Sequence, residues 1–301
     1  MSQPSFVWFN GALVEYESVK ATVDLPQVDG VFERLRTYPC AEVLKENTLL
    51  CKFDDSLENI YKSAKVFNLA LEKRVSKDNL REAVLETIRA NEFRTYVDVV
   101  VSVWPSQPEA PNVSIVAKQF ESILGSDDFE KPKKFTLVSA KAPSSNLFTE
   151  ARAWASYLED AQSNSDAKAK GFYGCLFIDS KGYVFAGYNN FLAVVKNGAV
   201  TVQLPRIALK DVVRSSIVTI AKDLGYSVAE REIAKADLLD ADEAFICGVE
   251  SEVTPVTEVD GVAIGEGKVG EVTAKIAKRF ADGTQAKTDK YLDWLTTVYA
   301  E

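Results

Sequence analysis

The stretch Phe148–Leu158 reads FTEARAWASYL and places a guanidinium, Arg152, five residues ahead of a phenol, Tyr157. An arginine stays protonated, with a pKa above about 12, and offers no amine lone pair near neutral pH. Imine chemistry cannot start from this segment. Its setting is mixed: Phe135–Ser139 before it reads as a strand, and a run of short strands follows it. These are Gly171–Asp179, Tyr183–Phe185, Phe191–Val195 and Ala199–Val202, turned by Lys181-Gly182 and Asn197-Gly198. A helical segment carrying Arg152 between strands points to an α+β chain.

Working outward, Phe6–Phe9 and Ala12–Tyr16 flank Asn10-Gly11, a dipeptide suited to the positive φ of a type I′ turn, so a hairpin opens the chain. Ser56–Phe67 has a helical apolar period after Asp55, a candidate N-cap. Lys77–Ala90 is a second helix, capped by Ser76 and striped by Leu80, Val84, Leu85 and Ile88. Tyr96–Trp104 is a nearly continuous β-branched and aromatic run, as in a buried strand. Leu209–Leu224 reads as a helix closed by Gly225, Glu243–Cys247 as a strand, and the tail Val269–Val298 as mostly helical. The polar stretch Gly125–Lys134, GSDDFEKPKK, reads as an interdomain linker. It separates a small α+β domain, 1–124, from a larger one, 135–301.

Composition limits the function. With 47% hydrophobic and 26% charged residues in 301, the chain can build a sizeable core. A net charge of -9 disfavours nucleic acid and anionic membranes, which require a basic face. No apolar run reaches membrane-spanning length and no signal peptide opens the sequence, so a cytoplasmic location is expected. Cys40, Cys51, Cys175 and Cys247 lack metal or disulfide spacing and read as buried free thiols. Histidine is absent, which removes the usual Ser-His and Cys-His nucleophile pairs. Acid–base work falls to carboxylates, tyrosines or lysines, and no metal is expected.

Six blocks occur in one order along the chain. They are WFNG (Trp8–Gly11), GVFERLRTY (Gly30–Tyr38), DSKGYVFAG (Asp179–Gly187), IVTIAKDLGYSVAEREI (Ile217–Ile233), ADEAFICGVESEVTPV (Ala241–Val256) and VDGVAIGEGKVG (Val259–Gly270). Together they resemble the branched-chain aminotransferases, within the fold class IV enzymes that use pyridoxal phosphate (PLP). The resemblance implies a two-domain α+β chain of the D-amino acid aminotransferase-like fold, a homodimer, and a site in the cleft between the domains.

Residue by residue, the resemblance implies a rewritten site. Arg152 stands where the family has the lysine that holds PLP. Arg36 matches the arginine on the cofactor phosphate, and Tyr157 the tyrosine on the ring oxygen; both read as remnants of a PLP site. The glutamate that pairs with the pyridinium nitrogen aligns with Ala186, which removes a charge that keeps the ring an electron sink. The phosphate cup Gly-Ile-Thr reads Asp211-Val212-Val213, a second threonine reads Val249, and Asp211 adds a repelling carboxylate at a helix start. On the substrate side a glycine becomes Arg34, a tyrosine becomes Gln27, and an arginine becomes Asp98. Arg34, Arg36 and Arg152 are thus expected to converge, faced by Glu33, Asp98, Glu150 or Glu250.

The sequence leaves three functions open. One is PLP-independent conversion of a small anionic or carbonyl-bearing molecule, of isomerase, cyclase or lyase type. Its candidate catalytic residues are Tyr157, Asp98, Glu150 and Arg152, with Arg34, Arg36, Tyr96, Tyr188, Asn190 and Glu250 for binding. Another is a pseudoenzyme that binds a metabolite or a protein without turnover, its cleft closed by salt bridges. The third is a PLP-dependent transaminase or lyase that uses another lysine, such as Lys141, Lys168 or Lys170. No cofactor is expected in the first two, and PLP is the alternative.

Overall fold

The computed structural model describes residues 4–23, 29–40, 47–106, 110–139, 150–187, 189–205 and 209–299. Gln27, Lys141, Tyr188 and the first two residues of FTEARAWASYL lie outside them. Among the described residues the strands form three sheets.

The first is antiparallel and seven-stranded, in the order Leu295–Thr297, Thr48–Cys51, Val31–Pro39, Val97–Trp104, Asn112–Gln119, Phe6–Phe9, Ala12–Glu15. The hairpin forms as expected, with positive φ at Asn10 (49°) and Gly11 (113°) and Phe9 opposite Ala12. The helices Phe53–Val66 and Lys77–Ala90 cover one face and share a core with Leu35, Leu50, Val97, Val99 and Ile115. Ser76 caps the second helix through its side chain, which accepts from the Asn79 amide at 3.2 Å. The first helix starts three residues earlier than expected. Lys52 turns into it with φ 47°, and Asp54 and Asp55 lie in its first turn, where carboxylates complement the helix dipole.

A five-stranded sheet runs in the order Val228–Glu230, Ala199–Val202, Asn190–Lys196, Glu243–Gly248, Glu252–Val256. The helices Val212–Asp223 and Glu271–Thr284 bury Ile217, Ile220, Ile276 and Phe280 with it. A six-stranded sheet is centred on Lys134–Ser139 and Gly174–Ile178, which pair in parallel, with the helix Trp154–Ala169 packed beside the latter. Arg152 precedes this helix. It sits at an isolated bridge between Val31 and Ala153 that ties the segment to the first sheet.

Three expectations need correction. The stretch 125–134 is folded: Asp127–Glu130 makes a helical turn, Phe129 enters the second core, and Lys133 is 1% exposed. The Lys133 ammonium donates to the carbonyls of Asp128, Phe129 and Lys131, at the end of that short turn. The tail is only partly helical, because Leu295–Thr297 returns as an edge strand on Thr48–Cys51 and buries Val298 in the first core. Of the cysteines, Cys175 and Cys247 are buried but Cys40 and Cys51 are half-buried; all four are free. Among the described residues no helix is long and apolar enough to cross a membrane, and no cluster of metal-ligating side chains occurs.

Truncation after Trp294 removes this edge strand together with Val298, which is fully buried. It is expected to lower the free energy of urea unfolding by at least about 2 kcal/mol, the value of one buried branched side chain. An unchanged urea midpoint would rule out a structural role for the returning strand.

Candidate functional site

The strand Val31–Pro39 supplies both halves of the site by alternation. Glu33 projects from one face, and Arg34 and Arg36 are separated from it by the period of two. On the Glu33 side, Arg152 is 6% and Glu33 1% exposed, and the Arg152 Nη1 donates to Glu33 Oε1. Its Nη2 donates to Asp211 Oδ2 at 3.1 Å. The backbone of Arg152 is fixed as well: its amide donates to Ser63 Oγ at 3.2 Å, and its carbonyl accepts from the Phe32 amide at 2.9 Å.

Asp211 is the N-cap of the helix Val212–Asp223, accepting from the Arg214 amide at 2.7 Å. The carboxylate expected to repel a phosphate therefore has two other tasks: it caps a helix and it neutralises Arg152. Burial pushes the Glu33 carboxyl up to about 7 against the pull of Arg152, and raises Asp211 in the same direction.

Arg34 and Arg36 face Asp98, which lies directly opposite Arg36 in the strand register. Arg34 lies 3.5 Å from the Asp98 carboxylate and also contacts Glu250, while Arg36 Nε is 3.8 Å from Asp98. The Arg34 guanidinium lies 5.6 Å from the Tyr157 ring centroid, and that of Arg36 3.8 Å from the Phe120 ring. The Tyr157 hydroxyl is raised by burial and by Glu250, with Arg34 opposing. Arg34 and Arg152 border one small hollow and Arg36 a larger one, and Glu33, Asp98 and Glu250 face them as expected. Arg152 is turned to Glu33 and Asp211, and each of the other two meets a carboxylate, so no free anion clamp is assembled among the described residues.

The other expected residues divide. Asn190 accepts from Ser251 Oγ at 2.8 Å at the start of a strand. Gly248, paired with it, has no room for a side chain, since a Cβ would meet Asn190 and the Asn189 carbonyl. The Tyr96 hydroxyl accepts from Gln285 at 2.9 Å, and its ring stands edge-on to Tyr38 and Phe120, which makes it a packing residue beside Arg36. Glu150 is exposed and lines neither hollow described below, because the chain reaches the buried bridge only at Ala151. Tyr188 lies outside the described residues.

Two hollows share Glu250 as a wall. One, of about 10 Å³, is lined by Phe32, Arg34, Arg152, Asn189, Val249 and Glu250, and has room for a single water at most. The other, of about 530 Å³, is bordered by Arg36, Tyr157, Tyr173, Ala186, Asn190 and Glu250 and lies in the size range of small-molecule sites. Its wall also holds two buried carboxylates that the sequence does not single out, Asp160 and Glu252. Asp160 has a signal, since it lies three residues after Tyr157 and hence on the same helical face. Glu252 has none: it begins a strand with φ 51° and accepts from Ser122 Oγ at 2.8 Å and the Ile123 amide at 3.1 Å.

Known proteins share this architecture. A profile described as amino-transferase class IV matches residues 30–259. The branched-chain-amino-acid aminotransferase of Escherichia coli K12 is 29% identical over 307 residues, covering 97% of this chain and 97% of that protein. The crystal structure of the E. coli branched-chain amino acid aminotransferase superposes with a TM-score of 0.87 at 27% identity, covering 99% of this chain and all (100%) of that one. The T.th. branched-chain amino acid aminotransferase complexed with N-(5'-phosphopyridoxyl)-L-glutamate gives 0.86 at 26% identity, with 99% and 100% coverage. The fold expected from the six blocks is the fold of this chain.

Removing one partner from a buried ion pair leaves the other charge uncompensated. Arg152→Met is therefore expected to cost about 3–5 kcal/mol in urea unfolding at pH 7. A loss below about 1 kcal/mol would show that the three charges are loosely held. The same site sets a pH dependence. Glu33 releases its proton near 4.5 in the unfolded chain and near 7 in the folded one, so the folded state binds more protons in between. Stability should fall as pH rises from about 4.5 to about 7, and Glu33→Gln should flatten most of that slope. Asp211 contributes with the same sign from a lower starting value. A wild-type profile that rises over this window would contradict the assignment.

Proposed function

The chain belongs to the class IV aminotransferase family, and on that premise we propose that it has given up PLP-dependent transamination and recognises a small molecule in the cavity beside Tyr157. The observation that carries this reading is the Arg152–Asp211 ion pair at 3.1 Å. In the family pattern the residue aligned with Arg152 holds the cofactor, and the one aligned with Asp211 opens the phosphate cup. Here the two are bonded directly to each other, next to a hollow of only about 10 Å³.

The residues do not fit PLP. The lysine amine is replaced by a guanidinium, the pyridinium partner by Ala186, and the cup hydroxyls by Val213 and Val249. The two remnants have other partners: Arg36 faces Asp98 and Phe120, and Tyr157 contacts Arg34 and Glu250. The cavity of about 530 Å³ remains for binding. Conversion of a ligand there would fall to Tyr157 with Glu250, which both line the cavity, whereas Asp98 and Glu150 do not. The family resemblance also supports a homodimer.

A second reading has an observation in its favour. The relatives include an enzyme complexed with a phosphopyridoxyl compound, and Lys168 lines the larger cavity, so a PLP enzyme built on that lysine is the competing function. Incubation of the purified protein with PLP separates the two. The proposal expects no aldimine absorption beyond that of exposed surface lysines, and no single lysine fixed by borohydride reduction. Stoichiometric reduction onto Lys168, with transfer of amino groups between keto acids, would establish the second reading and end the first.

A further inference from the structure

The larger cavity carries an unusual charge. Among its described lining residues four are acidic, Glu121, Asp160, Glu250 and Glu252, against Arg36 and Lys168. Two of the acids are buried, Asp160 at 6% and Glu252 at 1% exposed. Isolated carboxylates in such surroundings are costly unless a counter-charge or donors meet them. The Oε2 of Glu252 has donors in Ser122 and Ile123, but its Oε1, also buried, accepts no hydrogen bond among the described residues.

The basic residues do not balance this wall. Arg36 lines the cavity but lies 3.8 Å from Asp98 and stacks over Phe120, so its charge is divided between Asp98 and Glu252. Burial of Glu252 outweighs the pull that Arg36 still exerts on it, and its carboxyl is raised. Lys168 stands at an exposed position at the end of its helix, where water screens it. Aromatic and apolar surface completes the walls through Tyr157, Tyr173, Phe135 and Ile246. Aromatic faces favour a cation, and apolar walls favour a carbon body behind it. An anion would meet buried carboxylates with no free arginine on the described wall to offset them.

Building on the small-molecule reading of this cavity, we propose that its ligand is an organic cation, a primary amine on a compact apolar body, with the ammonium directed at the Glu252 carboxylate. This replaces the anionic ligand expected from the arginines. It also gives Glu252 a role as a binding residue that its position in the sequence does not suggest.

Isosteric probes test the charge. Cyclohexylammonium, cyclohexanol and cyclohexanecarboxylate are titrated separately into the full-length protein by isothermal calorimetry at pH 7. Cyclohexylammonium should bind saturably, and cyclohexanecarboxylate at least about tenfold more weakly, which corresponds to about 1.4 kcal/mol. Glu252→Gln should weaken the amine about tenfold while leaving cyclohexanol unchanged. Because Glu252 is buried, a second variant guards against misfolding: Ala161→Trp, at an exposed position on the cavity wall, should abolish binding of every probe. Carboxylate binding as tight as the amine, blocked by Ala161→Trp, would overturn the cation assignment and leave the small-molecule reading standing. Binding of no probe, or binding indifferent to Ala161→Trp, would overturn both.

Discussion

A buried guanidinium held between two buried carboxylates organises this protein. Arg152 joins the strand of Glu33, the helix capped by Asp211 and its own segment, three pieces far apart in the chain. Each ion alone would be expensive to bury, and the three are tolerable only together. The helix Val212–Asp223 takes its N-cap from the same carboxylate that neutralises Arg152, so the start of that helix and the seat of the arginine are coupled. The backbone bonds of Arg152 to Phe32 and to Ser63 then lock the segment against the first sheet and the helix Phe53–Val66 that covers it.

The rest of the cleft follows from that lock. With Arg152 turned to Glu33 and Asp211, the hollow beside it shrinks to the volume of a water. Arg34 is met by Asp98 and by Glu250. What remains open lies beyond Tyr157, on the side where Ala186 leaves space and where Asp160 and Glu252 bring carboxylates.

Local signals read well where the partner of each residue is close in sequence. Asn10-Gly11 makes its hairpin and Ser76 its cap because both act within four residues. The start of the helix at Phe53 is hidden because Lys52 adopts positive φ, which its side chain does not announce. Phe129 and Lys133 resemble linker residues because their burial depends on a core, and on the Thr257 side chain that meets the Lys133 backbone, which only folding brings near. Asp211, an aspartate before an apolar helical stretch, carries a cap signal, but its second partner, 59 residues away, is invisible in the sequence.

The sequence by itself determined the family fold, since the six blocks and their order are matters of residue identity along the chain. Only the tertiary structure decided where the charges went. Arg152 and Glu33 are 119 residues apart, and whether arginines converge on an empty cleft or are each neutralised depends on side-chain directions set by sheet register and helix docking. Electrostatic energy falls with distance and rises with burial, and neither quantity exists in a linear string of residues.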